Sequence, residues 1–202
     1  MISRKILAGV LSAALVLWIV LDLYLPVQHD LREFDPVAVG RLETRMWRSY
    51  YDHERVKLFT DLTTTLRTQY GLPFWRSVVG AFHGAKAAMV FQRGDYSGAL
   101  PDLLEYYDII VRSSSSQFDA AVAAKLELDW WIVHRERDRH ASRDLENSLA
   151  ALQSAIYRMP AERFIEHGRA RAEAMRIRDV GGDWGRIEQL LIASWTSLHN
   201  AM

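Results

Sequence analysis

Residues 94–99 read GDYSGA, an order of residue types that predicts the end of one helix and the start of another. Glycine is favoured just beyond a helix C-terminus, and aspartate is favoured at a helix N-cap. Residues 182–187 read GDWGRI and repeat the glycine, the aspartate and the aromatic residue in the same order. The chain is therefore expected to fold as helical hairpins joined by short turns.

Start and stop signals of this kind continue along the chain and predict an all-α fold. Gly71 is expected to end the first long helix, and Ser116 with Asp119 forms a capping pair. Asp144 and Asp183 are expected to cap the helices that follow them. The predicted helices cover residues 37–70, 74–93, 95–112, 118–135, 145–157, 160–179 and 184–200.

One hairpin resembles the tetratricopeptide repeat family. Ala87, Gly94, Tyr96 and Ala99 match the small-residue, turn and aromatic pattern of such a repeat, over residues 74–111 and more faintly over 162–200. Pro101 departs from the pattern, and residues 118–157 lack it. The resemblance implies a tetratricopeptide-like α-solenoid of stacked hairpins that binds proteins on its concave face. A compact irregular helical bundle is the alternative.

The N-terminus predicts a membrane anchor. Residues 6–25 read ILAGVLSAALVLWIVLDLYL, and a helix of that length spans about 30 Å, the thickness of a bilayer core. Arg4 and Lys5 precede this run, so the positive-inside bias places the N-terminus in the cytoplasm. No small-x-small cleavage site follows the run, which favours an uncleaved signal anchor over a cleaved signal peptide.

These signals predict three segments. Residues 1–26 form the signal anchor, residues 27–36 form a linker, and residues 37–202 form an α-helical extracytoplasmic domain. The expected location is the bacterial inner membrane, crossed once, with the C-terminal domain in the periplasm.

Composition excludes several function classes. The chain has 25 basic and 25 acidic residues, whereas a nucleic-acid-binding protein would show a basic excess. It has no cysteine, so disulfides, thiolate metal sites and cysteine nucleophiles are absent. No phosphate-binding loop, dinucleotide fingerprint or zinc-protease motif occurs. We therefore assign no catalytic residue, cofactor or metal.

Two predicted helices carry polar residues on faces that should be buried. The residues at spacings of three and four are Glu43, Trp47, Tyr50, Glu54, Leu58 and Asp61 in the first, and Ala120, Ala124, Glu127, Trp131 and His134 in the fourth. One interpretation is a structural network in which Arg45, Arg48 and Arg76 pair with the carboxylates. The other is a binding pocket with walls formed by Trp47, Tyr50, Trp130 and Trp131. A diiron site is disfavoured because the chain has no Glu-x-x-His pair.

These features support three hypotheses. The first is a membrane-anchored helical scaffold or accessory subunit that binds a protein partner in a membrane or envelope complex. The alternative is a small-molecule-binding protein or enzyme that uses the candidate residues Glu43, Trp47, Tyr50, Glu127, Trp131 and His134. In the third, the small residues Gly9, Ser12 and Ala13 let the anchor pack against another transmembrane helix.

Overall fold

The computed structural model describes residues 4–141 and 143–202, and it confirms the all-α prediction. The described residues form nine α-helices, two short 3₁₀ helices (Arg137–Arg139 and Ala161–Phe164) and no strand. The α-helices are α1 Arg4–Tyr24, α2 Pro36–Tyr51, α3 Arg55–Gln69, α4 Phe74–Gln92, α5 Tyr96–Arg112, α6 Ala120–Arg135, α7 Asp144–Tyr157, α8 Ile165–Asp179 and α9 Trp184–Ala201.

Aspartate side chains cap the starts of α2, α5, α6 and α9. The side chains of Asp95, Asp119 and Asp183 accept hydrogen bonds from backbone N–H groups in the first turns of α5, α6 and α9. Gly94 and Gly181 have positive φ angles just beyond α4 and α8, as the helix-stop signals predict. Asp144 is the first residue of α7 rather than its cap, and its Oδ2 accepts from the Ala141 N–H at 2.8 Å.

The cap on α9 gives a direct stability prediction. Asp183 accepts from the Gly185 N–H at 3.0 Å and the Arg186 N–H at 3.1 Å. Asp183→Ala should therefore destabilise the protein by about 0.5–2 kcal/mol in chemical denaturation. Asp183→Asn, which retains a capping oxygen, should keep most of that stability. Equal stability of the alanine variant and the wild type would contradict the capping role.

The prediction of one helix over residues 37–70 is wrong. The chain leaves the helix at Asp52, and His53 adopts a left-handed φ of 57° before α3 begins at Arg55. The Glu54 N–H then donates to the Ser49 carbonyl at 2.8 Å, which closes the turn. No glycine or proline marks this break, because a histidine occupies the left-handed position that usually selects glycine. The supposed continuous face from Glu43 to Asp61 is consequently divided between two helices.

Helices α2 to α9 form a closed ring. Each helix packs against the next one in the chain, and α9 returns to pack against α2. Within the described residues no helix packs against one across the ring, so the centre is left to side chains and a cavity. Gly40 permits the closure, because a Cβ there would lie 2.7 Å from the Ile192 backbone. An open solenoid would keep its first and last hairpins apart, whereas here α9 packs against α2.

Helix α1 projects from one end of this ring. It is long and apolar enough to cross a membrane, and none of its described residues is buried. Its last turns contact the start of α4, where Trp18 stacks on Phe74 with ring centroids 5.8 Å apart. Asp22 accepts from the Trp75 N–H at 3.1 Å and the Arg76 N–H at 3.2 Å. The one acidic residue of the apolar run thus caps a different helix.

Residues 27–36, predicted as a linker, pack against the ring. Leu31 is fully buried, and its carbonyl accepts a hydrogen bond from the Tyr157 hydroxyl at 3.4 Å. The Phe34 and Trp195 rings pack edge to face, with their centroids 5.8 Å apart. The His29 N–H donates to the Ser113 carbonyl at 3.2 Å. The expected linker therefore closes the end of the ring from which α1 projects.

Candidate binding cavity

A cavity of about 630 Å³ lies inside the ring of α2 to α9. All six candidate residues from the sequence line it: Glu43, Trp47, Tyr50, Glu127, Trp131 and His134. They arrive from two helices on different sides of the ring, α2 and α6. The helical spacing therefore identified residues that share one cavity, although sequence alone gave no means of showing that the two faces meet.

The cavity reaches the end of the ring opposite α1. Its lining includes His53, Arg137 and Asp138, which lie in the connections at that end, and the Arg137 side chain is well exposed. The deeper lining includes Glu43, Tyr70 and Gln153. The end of the ring from which α1 projects is covered by residues 27–36, so access is from the opposite end.

Glu43 belongs to a buried ion-pair network on the cavity wall. Its Oε1 accepts from Arg171 Nε at 2.8 Å and Arg171 Nη2 at 2.6 Å, and its Oε2 accepts from Trp195 Nε1 at 2.5 Å. The Arg171 guanidinium also lies over the Trp130 ring, 4.8 Å from its centroid. The network therefore joins α2, α6, α8 and α9, and it stabilises the closed ring.

Of the three arginines expected to pair with the predicted carboxylates, only Arg45 does so, and none of the three pairs with Glu43. Arg45 pairs with Asp61 at 3.3 Å, and Arg48 stacks over Trp184. Arg76 donates to the Leu25 carbonyl, just beyond α1, and to Ser113 Oγ. Arg45 thus pairs with one of the carboxylates named from the sequence, whereas Arg48 and Arg76 pair with none of them, so the prediction is wrong for these two arginines. The cationic partner of Glu43 is Arg171, which comes from α8.

Glu127 has a different environment from Glu43. Its Oε2 accepts from the Tyr107 hydroxyl at 2.8 Å, and its Oε1 accepts from Trp131 Nε1 at 2.9 Å. No arginine, lysine or histidine of the described residues forms an ion pair with it. The side chain is only partly buried. We expected an arginine partner for Glu127, and this expectation is wrong, because neutral donors hold the carboxylate in place.

Burial and the neighbouring carboxylate raise the pKa of Tyr107 well above its usual value, so its hydroxyl keeps the proton that it donates to Glu127. Tyr70 and Tyr106, which also line the cavity, have raised pKa values, chiefly because of burial. These phenols are neutral hydrogen-bonding groups at physiological pH.

His134 lies at the outer part of the cavity, in a charged cluster with Asp179. Asp179 accepts from His134 Nε2 at 3.1 Å and from Arg178 Nη1 at 2.7 Å, and it also pairs with Arg137. Burial alone would raise the pKa of Asp179, but the hydrogen bonds from His134 and Arg178 outweigh it and hold the pKa below its usual value. The cluster connects the ends of α6 and α8 beside the entrance.

The described residues bring no group of three His, Asp or Glu side chains into metal-binding geometry. The described residues that line the cavity include no serine, cysteine or lysine that could act as a nucleophile. Aromatic rings and a few fixed polar groups instead form a concave surface, the arrangement typical of a binding site for a small organic molecule.

Several cavity residues were not predicted from the sequence. Four other arginines occur from Arg163 to Arg178, and the sequence around Arg171 gives no signal that separates it from these neighbours. Gln153 did carry a signal, since it shares a helical face with Ala150 and Ile156. Gln153 is only 3% exposed and lines the cavity. Its side-chain amide forms no hydrogen bond within the part of the chain described.

Comparisons with protein-family models, with curated proteins and with solved structures find no match to this chain.

Proposed function

We propose that this protein is a membrane-tethered binding protein whose ring of helices α2 to α9 holds a small organic molecule in its central cavity. The observation that carries this proposal is the cavity itself. Its volume of about 630 Å³ lies within the range of natural small-molecule sites, roughly 300–1,000 Å³. A domain whose role was purely structural would gain stability by filling that space, because interiors are normally close-packed.

The tether in this proposal is α1, which crosses the bacterial inner membrane once with its N-terminus in the cytoplasm. Its length, its apolar exposed surface and the preceding Arg4 support this orientation. Asp22 and Trp18 support a fixed junction between tether and domain through their contacts with α4. The cavity entrance would then face the periplasm, away from the bilayer.

Topology can be tested with reporters fused after Met202. A reporter active only outside the cytoplasm should be active there, and one active only inside should be silent. Replacing both Arg4 and Lys5 by glutamate should reduce or invert this difference, because the flanking positive charges set the orientation. The same replacement at Arg186 and Arg163, far from the span in the sequence, is the control and should leave the topology unchanged. A reporter that is active only in the cytoplasm would overturn the orientation.

Ligand binding can be tested by blocking the cavity. Ala88 lines it, whereas Ala121 is exposed on α6. The full-length protein, purified in a mild detergent, should release a small molecule detectable by mass spectrometry when it is denatured. Ala88→Phe should reduce that amount strongly, and Ala121→Phe should not. Equal recovery from the two variants, or no released molecule from the wild type, would contradict the proposal.

A second candidate function is the scaffold or accessory subunit. The observation that favours it is the set of exposed apolar side chains on the α4–α5 hairpin: Val79, Phe82, Leu100 and Leu104. Phe82 is 55% exposed, and large exposed apolar groups often mark protein contacts. A mild-detergent pull-down whose partners depend on Phe82 but not on Ala88 would favour this function.

A further inference from the structure

We infer that the ligand of the central cavity is an organic cation, an amine or quaternary ammonium with an apolar body, which is bound by the Glu127 carboxylate and the surrounding aromatic rings. This inference rests on the proposed binding function and specifies the class of ligand. It is carried by an imbalance of charge in the inner part of the cavity.

The part of the cavity away from its entrance is lined by two carboxylates, Glu43 and Glu127, and by one guanidinium, that of Arg171. Arg171 forms two hydrogen bonds with Glu43, so the charge of Glu43 is balanced by direct contact. Glu127 accepts hydrogen bonds only from the neutral Tyr107 hydroxyl and Trp131 indole. Arg171 also acts electrostatically on Glu127, but its hydrogen bonds go to Glu43, so no cationic side chain of the described residues is in direct contact with Glu127. A partly buried carboxylate with no cation in contact is costly. A bound cation would supply that contact.

Aromatic faces provide the second part of the site. Three arginines of the cavity lining already lie over aromatic rings: Arg171 over Trp130, Arg135 over Phe91 and Arg178 over Tyr51. The rings of Trp47, Tyr70 and Tyr106 also line the cavity, and no cationic side chain of the described residues lies over them. Aromatic rings attract ammonium groups through the negative potential of their faces. Glu127 is close enough to Tyr70 and Tyr106 to contribute to the raised pKa of both phenols, so these two rings can flank an ammonium group bound by Glu127.

The surroundings favour an organic cation over a metal ion. Calcium and magnesium require several oxygen ligands in one coordination shell, whereas the oxygens of Glu127 already accept from Tyr107 and Trp131. The apolar lining, which includes Leu62 and Leu103, suits a hydrocarbon body instead. Gln153, which has no hydrogen-bond partner in the described residues, adds a neutral polar group that can orient such a ligand.

The test compares three probes that share a phenethyl skeleton and differ in charge: phenethylamine, phenethyl alcohol and hydrocinnamate. Binding to the full-length protein in a neutral detergent is measured at pH 7 by calorimetry and by tryptophan fluorescence. The amine should bind about tenfold more tightly than the alcohol, because only the ammonium pairs with the carboxylate and the ring faces. Hydrocinnamate should bind more weakly than the alcohol, because its charge has the same sign as Glu127.

Glu127→Gln is the decisive variant, since it keeps the size of the side chain and removes its charge. It should bring the amine and the alcohol to nearly equal affinity while leaving the affinity for the alcohol within about twofold. Glu105→Gln makes the same change at an exposed position on α5 and should keep the preference for the amine. Both variants should show the melting behaviour of folded protein before they are titrated.

The outcomes separate the two proposals. If all three probes bind with similar affinity, or if Glu127→Gln retains the preference for the amine, the inference about the cation is wrong and the binding function stands. If none of the probes binds to the wild type, the inference about the cation is wrong, and the molecule released from the wild type and from Ala88→Phe decides the binding function separately.

Discussion

Glu43→Ala will destabilise this protein by about 3–5 kcal/mol, the usual cost of removing one partner from a buried ion pair. The carboxylate is 2% exposed and accepts hydrogen bonds from Arg171 and Trp195. Its removal leaves the guanidinium buried with no counter-charge in direct contact and leaves the Trp195 indole N–H without an acceptor. The loss is a large part of the total stability of an ordinary domain. Chemical denaturation of the full-length protein in detergent measures it.

Two further variants make this expectation specific. Glu173→Ala removes a carboxylate that pairs with Arg176 on the exposed side of α8, and it should cost less than about 1 kcal/mol. The double variant Glu43→Leu with Arg171→Met removes both buried charges together. The double variant should be no less stable than Glu43→Leu alone or Arg171→Met alone, because no unpaired charge remains. Additive losses in the double variant would show that the two side chains contribute independently and that the ion pair is not the cause.

Acidification will destabilise the protein through His167. This side chain is fully buried between α8 and α9, and its Nδ1 lies 2.8 Å from Ser194 Oγ and 3.2 Å from the Ser194 carbonyl. Its Nε2 has no partner among the described residues. Burial, and then the positive charge of Arg171, lower the pKa of His167 to about 3, although the hydrogen bond with the Ser194 backbone opposes the shift.

The sign of the pH dependence follows from proton uptake. In the unfolded chain His167 takes up a proton below a pKa of about 6.5, whereas in the folded chain it stays neutral down to about pH 3. Across that window the unfolded state binds one more proton, so stability falls by about 1.4 kcal/mol for each unit of decreasing pH. Between pH 7 and pH 4 this single residue should therefore account for about 3 kcal/mol of lost stability.

Two measurements test the role of His167. The stability of His167→Gln should decline less steeply between pH 6.5 and pH 4 than that of the wild type, whatever the stability of the variant at pH 7. Nuclear magnetic resonance of the wild type should show that the His167 ring signals stay constant from pH 8 to pH 5. A titration of His167 with a midpoint near 6.5 would contradict its burial in the neutral form.

The sequence was sufficient for most of the helix boundaries, because the interactions that end a helix are local. Asp183 and Gly181 act within a turn or two of their own positions, so their residue types carry the information. His53 shows the limit of this approach. The chain takes a left-handed conformation at this histidine, a residue type that does not predict such a turn. The predicted helix over residues 37–70 is therefore two helices.

The sequence also determined that the N-terminal apolar run forms a helix, Arg4–Tyr24 in the structure, that is long and apolar enough to span a membrane, since length and hydropathy alone decide that property. The side-chain spacing in α2 and α6 likewise selected Glu43 and Glu127 as polar residues that do not belong to an exposed face. Periodicity is a property of one helix at a time, so it can identify such residues without a partner helix.

Only the tertiary structure decided what those residues contact. The return of α9 to α2 closes the ring, brings Arg171 and Trp195 to Glu43, and leaves Glu127 with neutral donors beside an open cavity. These partners are separated by up to 152 positions along the chain. Contacts over such distances depend on how whole helices pack, and the pattern of residue types within any single helix does not contain that information.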